Sequence, residues 1–256
     1  MSAYSPSDSF DLPGSFRPQL YESLDSTNNE AKRQAAAGAP EGTLIVARQQ
    51  RSGRGRHGRS WQSPPGNLYC SLLLRPPGQL QTAAQLSFVA AVALAQTLDS
   101  WIDGARIALK WPNDVLVDGA KISGILLESA AGPGGRVDWL VLGVGVNIAS
   151  HPADPVRPSI SLHAAGVGGT AADEVLRRLT AAFEPWYACW REQGFAPVHR
   201  AWSARASGLG APIRAQLTSG IVEGIFEGLD AGGALLYRTA GGEQSRIEAG
   251  EVYFSA

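Results

Sequence analysis

Residues 53–61, Gly53-Arg54-Gly55-Arg56-His57-Gly58-Arg59-Ser60-Trp61, constrain this chain more than any other stretch. Three glycines free the backbone for positive φ and for close approach to a ligand. Apolar runs at 43–47 and 67–74 flank the stretch and read as strands. A strand, a long loop and a returning strand is how a sheet displays a binding loop. Arg51, Arg54, Arg56 and Arg59 bring four guanidinium groups, which bond phosphate or carboxylate oxygens in pairs. Trp61 closes the loop with an apolar plate. By itself the stretch fits an anion-binding loop or a basic nucleic-acid segment.

The remaining composition narrows that choice. A net charge of -1 argues against bulk attraction to DNA or to anionic membranes, so the positive charge that matters is local to the loop. Hydrophobic residues at 44% against charged residues at 18% supply a core and exclude disorder over most of the length. The length suits one large domain with room for a small second one. No run approaches the roughly 20 apolar residues that span a bilayer. The N-terminus lacks the basic-then-apolar pattern of an export signal, so a cytoplasmic protein is expected. Cys70 and Cys189 sit in apolar surroundings and read as buried free thiols. The histidines show no metal-ligand spacing, and no metal site is expected.

Along the chain, residues 1–16 are rich in Ser, Pro and Asp and read as a disordered leader, too short for a helix-turn-helix. A short strand at 20–24 leads to Asp25-Ser26-Thr27-Asn28-Asn29-Glu30. Thr27 and Glu30 have capping-box spacing, predicting a helix to about Ala37 that Gly38 ends. Ser26, Thr27 and Asn28 either cap that helix or present hydroxyls and free N–H groups to a ligand. Residues 83–102 carry apolar side chains at the three-four helical repeat, predicting a helix that packs on the sheet. A strand at 107–110 runs into Trp111-Pro112-Asn113-Asp114, where proline makes a fixed corner. Asp118-Gly119 between apolar runs signals a hairpin. Its returning strand, 121–128, opens on Lys121, either a surface lysine beside a turn or a functional cation. Gly143 and Gly145 alternate in a strand at 138–148, clearing one face for a ligand or for close strand packing. Helices follow at 171–193, with Pro185 bending or interrupting the first, and at 196–205. From about Gly208 short strands and glycine-rich turns suit a small β-barrel.

Taken together, Ser26-Thr27-Asn28, Gln50, Gly53 to Trp61, Lys110-Trp111-Pro112-Asn113-Asp114, Lys121 to Glu128 and Gly143 to Ile148 resemble the biotin protein ligases. The resemblance covers roughly residues 20–256. It implies an α+β fold: a mixed-sheet catalytic domain of the class II synthetase type at 17–207, and a C-terminal SH3-like β-barrel at 208–256. Without a DNA-binding leader the chain resembles the ligase-only type. It departs from the family pattern at His57, where an arginine is usual.

The resemblance also implies a reaction. Biotin's carboxylate attacks the α-phosphate of Mg2+-bound ATP, giving biotinyl-5′-AMP and pyrophosphate. A lysine of a biotin carboxyl carrier protein then takes the biotinyl group. The carry-over makes Lys121, Arg56 and Asp114 catalytic. It assigns Ser26, Thr27, Asn28, Gln50, Gly53, Arg54, Gly55, Arg56, Lys121, Gly124, Gly143 and Gly145 to biotin. Arg54, Arg56, Trp61, Lys121 and Asn147 would hold the adenylate. Competing readings are a lipoate or octanoate ligase or transferase of the related fold, and a regulator or RNA-binding module. An exposed sheet edge could pair two subunits as a homodimer or receive the carrier.

Overall fold

The computed structural model describes residues 12–154, 157–217, 220–248 and 250–254. Seven strands build the main sheet: β1 (Arg17–Leu24), β2 (Thr43–Gln50), β3 (Leu68–Leu74), β4 (Ile107–Lys110), β5 (Asp114–Val117), β6 (Ala120–Ala131) and β7 (Val137–Val146). Their order is β1-β2-β3-β7-β6-β5-β4. Only β1 and β2 run parallel; α1 (Thr27–Ala36) makes that crossover, as a parallel pair requires. The other neighbours are antiparallel.

Strand periodicity sorts the side chains onto two faces. Leu44, Val46, Cys70, Leu72, Leu142 and Val144 join the large core. That core includes residues of α3 (Leu86–Leu98), α4 (Ala172–Gln193) and α5 (Ala196–Ser203). On the other face Ile45, Ala47, Leu73 and Val141 form a smaller cluster with Ala31 and Ala35 of α1. α1 packs on that face against β2, β3 and β7.

The helix expected over 83–102 is instead a four-residue α2 (Leu80–Ala83) followed by α3. α3 is buried nearly all round, from Phe88 to Ala95 without a break, because α4 and α5 cover the side turned away from the sheet. α4 continues through Pro185. Asp118 (φ 51) and Gly119 (φ 77) make the expected tight turn between β5 and β6. The helix α1 begins at Thr27 with Ser26 as N-cap, and no side-chain cap bond forms. Glu30 therefore sits one place too deep for a capping box, and it bonds Arg33 instead. The leader expected over 1–16 falls outside the described residues as far as 11; Ser15 and Phe16 are ordered, with Ser15 Oγ bonded to Glu184.

Residues beyond 208 form a separate five-stranded antiparallel sheet of order β11-β10-β9-β8-β12. Its strands are β8 (Pro212–Leu217), β9 (Gly220–Leu229), β10 (Leu235–Arg238), β11 (Gln244–Ile247) and β12 (Glu251–Phe254). The last was not expected. Trp111 Nε1, buried, donates to Gly233 O at 3.0 Å, tying the Trp-Pro corner to a turn of this sheet.

Candidate active site

Strand register lines up one row across the sheet: Asp114, Gly124, Gly145, Tyr69, Ala47 and Tyr21. The next row runs Leu126, Gly143, Ser71, Ile45. Lys121 should miss these rows, because three positions separate it from Gly124 and successive side chains alternate faces. A β-bulge corrects the parity. Val115 pairs with Ser123 but Leu116 pairs with Lys121, so Ile122 has no partner on β5. Ile122 goes into the core while Lys121 turns onto the glycine face. A Cβ on Gly124 would lie 3.2 Å from Lys121 Nζ.

Lys121 Nζ stands 2.6 Å from Asp114 Oδ1, with both side chains partly exposed. Among the described residues no hydrogen-bond donor is aligned with that oxygen, and the contact is an ion pair. Burial pushes the Lys110 ammonium below the usual lysine value; Asp114 opposes the shift and Lys121 adds to it. Burial likewise pushes the Arg56 guanidinium down, again with Asp114 opposing. Three cations therefore surround one carboxylate. The excess positive charge in a half-buried site favours a second anion.

The 53–61 stretch is a compact hairpin. Arg54 bridges Ser60, Gly55 N donates to Arg59 O at 2.8 Å, and Trp61 N to Gly53 O at 2.9 Å. A Cβ on Gly53 would fall 2.3 Å from Trp61 O, so the hairpin itself requires glycine there. The tip is a short 3-10 turn, Arg56–Gly58, with His57 at φ 55. The arginines fan out. Arg51 reaches Ser23, Arg54 reaches Asn29 and Glu128, and Arg56 reaches Asn113 Oδ1 (3.4 Å) and Gly250 O (3.3 Å).

Trp61 folds back over the glycines. A Cβ on Gly145 would sit 2.7 Å from its indole and one on Gly124 3.1 Å. Its buried Nε1 has no hydrogen-bond partner among the described residues, and Lys121 Nζ lies 5.4 Å from the ring centroid. The space beside Gly143 belongs to α1: a Cβ there would meet Asn28 Oδ1 at 2.1 Å. The two glycines thus clear room for different neighbours.

Ser26, Thr27 and Asn28 are all buried. Gln50 Oε1 accepts from Thr27 N at 2.8 Å and its Nε2 donates to Ser63 Oγ at 2.9 Å, joining the helix start to the hairpin exit. Asn147 spends its amide on carbonyls, donating to Ile160 O at 3.1 Å and Lys121 O at 3.4 Å; it steadies the head of β6. Among the candidates, Lys121, Asp114, Gly124, Gly145, Trp61 and Arg56 form one cluster. Ser26, Thr27, Asn28, Gln50 and Gly143 form a second, along the neighbouring row.

Two residues overlooked in the sequence belong here. Ser71 is fully buried, with Oγ 2.6 Å from Asn28 Oδ1 and 2.8 Å from Thr27 Oγ1. Its signal was a lone serine inside Leu68-Tyr69-Cys70-Ser71-Leu72-Leu73-Leu74. Glu128 gathers Asn28, Lys32 and Arg54; a carboxylate late in an apolar strand was its signal. Among the described residues no group of three or more His, Cys, Asp or Glu could hold a metal.

Known proteins resemble this chain over most of its length. Residues 20–147 match the Biotin/lipoate A/B protein ligase family, and 208–255 match the Biotin protein ligase C terminal domain. The biotin--[acetyl-CoA-carboxylase] ligase of Paracoccus denitrificans is 47% identical over 90% of this chain and 97% of its own. The bifunctional ligase/repressor BirA of Bacillus subtilis is 37% identical over 86% of this chain and 68% of its own. The biotin protein ligase of Aquifex aeolicus, solved in complex with biotin and ATP, superposes with TM-score 0.77 at 26% identity, covering 93% of this chain and 98% of that one. The chain therefore belongs to the biotin protein ligases of the Biotin/lipoate A/B protein ligase family.

Proposed function

We propose that the protein attaches biotin to a lysine of the carrier protein of acetyl-CoA carboxylase, using ATP, through biotinyl-5′-AMP. The observation that carries this reading is the bulge that turns Lys121 onto the glycine row beside Asp114. Activation brings a carboxylate and a triphosphate together, and their repulsion adds to the barrier. A cation fixed between them offsets that repulsion and stabilises charge building on the phosphorus oxygens. Lys121 fills that role from a strand, which holds it more firmly than a loop would. Arg56 and Arg54 hold the phosphates and then the adenylate, and Trp61 flanks it. The row bearing Ser26, Thr27, Asn28, Gln50 and Gly143 takes the ureido ring and chain of biotin, alongside Gly53, Gly55, Gly124 and Gly145. Asn147 borders the adenylate. Magnesium arrives with the triphosphate, as part of the substrate.

The mixed anhydride must be kept from water until the carrier docks. The 53–61 hairpin serves as the flap. Asp114 orients the incoming lysine amine. The C-terminal sheet, as an SH3-like barrel from about Gly208, adjoins the catalytic domain of 17–207. The enzyme works in the cytoplasm; no helix of the described residues is long and apolar enough to cross a membrane, and neither cysteine is in a disulfide. Backbone bonds from Leu109 to Arg205 and Ser207 occupy the β4 edge, whereas no described strand pairs with the outer edge of β1. That edge is the contact for a second copy of the chain. Labelling of purified carrier with biotin and ATP tests the reading. The parent should label, lipoate should not replace biotin, and Lys121→Ala should label at background.

A further inference from the structure

Glu128 lies outside the reaction described above, yet three side chains from two elements converge on it. Its Oε1 is 2.7 Å from Lys32 Nζ on α1 and 3.2 Å from Arg54 Nη2 on the hairpin, and its Oε2 accepts from Asn28 Nδ2 at 3.0 Å. Its side chain keeps 20% of its exposure, so these bonds are only partly screened. Arg54 has a second anchor: Nη1 donates to Asn29 Oδ1 at 2.8 Å. Asn29 is turned to accept because its own Nδ2 donates to Asp25 Oδ2 at 3.0 Å. Arg54 in turn bridges Ser60 across the hairpin, so gripping its guanidinium grips both limbs.

We propose that Glu128 is the catch of the 53–61 hairpin, a positioning residue that holds Arg54 and so keeps the flap down over the glycine row. Lys32 and Arg54 share one carboxylate oxygen, which divides its grip between them. Releasing Arg54 needs only the loss of one ion pair and one hydrogen bond, with Lys32 left to neutralise the carboxylate. The catch therefore opens without stranding a buried charge. This inference rests on the flap reading given above, and the experiment separates the two.

Hydrogen exchange of the 53–61 amides is followed in the full-length chain, and AMP release from biotin and ATP is followed without carrier. Glu128→Gln keeps an acceptor for Asn28 but loses the charge. It should speed hairpin exchange roughly 1.5-fold to fivefold, the range of a partly exposed ion pair, and raise AMP release. Asn29→Ala, which removes only the second anchor, should act in the same direction. Lys32→Met leaves the carboxylate to Arg54 alone and should slow hairpin exchange or leave it unchanged. Arg56→Ala, a change in the flap itself, is the control for the flap reading and should raise AMP release; unchanged hairpin exchange in Glu128→Gln overturns the catch whatever that control does. Equal loosening by Lys32→Met overturns it too, since Glu128 would then act by anchoring α1. Should Arg56→Ala also fail to raise AMP release, the flap reading falls as well.

Discussion

Lys121→Met is the perturbation that separates stability from catalysis most cleanly. The substitution keeps the stem beside Gly124 and removes the ammonium 2.6 Å from Asp114 Oδ1. At an effective dielectric of about 20 the gross attraction at that distance is on the order of 6 kcal/mol. The side chains retain 31% and 22% of their exposure, so hydration and screening cancel most of it. The net contribution of such a pair to folding is about 1 kcal/mol or less. For a chain of this size that lowers the Tm by roughly 2–4 °C. On the proposed reading the transition state loses more, because there the same ammonium would face both the carboxylate and the α-phosphate. Removing one preorganised donor of this kind costs about 10²–10³ in rate, or roughly 2.7–4 kcal/mol. The assay is single-turnover pyrophosphate release from biotin and ATP, beside a thermal scan of the same preparation. Adenylation within about threefold of the parent would remove Lys121 from the mechanism, since an exposed ion pair alone accounts for that much. A Tm fall large enough to unfold the variant at assay temperature would show that the pair is structural instead.

Three further outcomes follow from the geometry. Gly145→Ala places a methyl 2.7 Å from the Trp61 indole and must displace it; overpacking of this kind costs about 1–3 kcal/mol. Tryptophan fluorescence and denaturant midpoints report it, and a parent-like spectrum would mean that the indole does not rest on that row. Ser71→Ala leaves Asn28 Oδ1 without its buried donor, at about 1–3 kcal/mol, and should weaken biotin binding together with the fold; unaltered urea midpoints would contradict it. Lys110 has its folded-state pKa pushed below the ordinary 10.5 by burial. The unfolded chain therefore holds more protons there, and stability gains with rising pH between the lowered value and 10.5. Lys110→Met should lose that slope in urea midpoints taken across the alkaline range, and an identical slope in both proteins would refute the assignment.

Local chemistry by itself settled much of this protein. Asp118-Gly119 prescribes its turn because few residue pairs accept positive φ twice in succession. The arginines of 51–59 announce an anion wherever the chain places them, since their charge does not depend on packing. Strands at 107–110 and 138–148 were legible from apolar runs bounded by turn residues. Helices were less so: the apolar repeat over 83–102 cannot reveal that α3 is buried nearly all round, because that depends on α4 and α5.

The working geometry came only with tertiary pairing. Read by strand periodicity, Lys121 and Gly124 fall on opposite faces; the bulge at Ile122 joins them, and a bulge arises from how β5 and β6 match, not from either alone. Alternating glycines show that something must come near, but not what. Asn28 takes the space beside Gly143 and Trp61 the space beside Gly145, and both come from far along the chain. Ser71 and Glu128 are ordinary residues until α1 and the hairpin arrive over them. Residue type thus determined which charges and turns this chain could offer. The register between strands distant in sequence decided which of them meet, because a shift of a single residue sends every side chain of a strand to the other face.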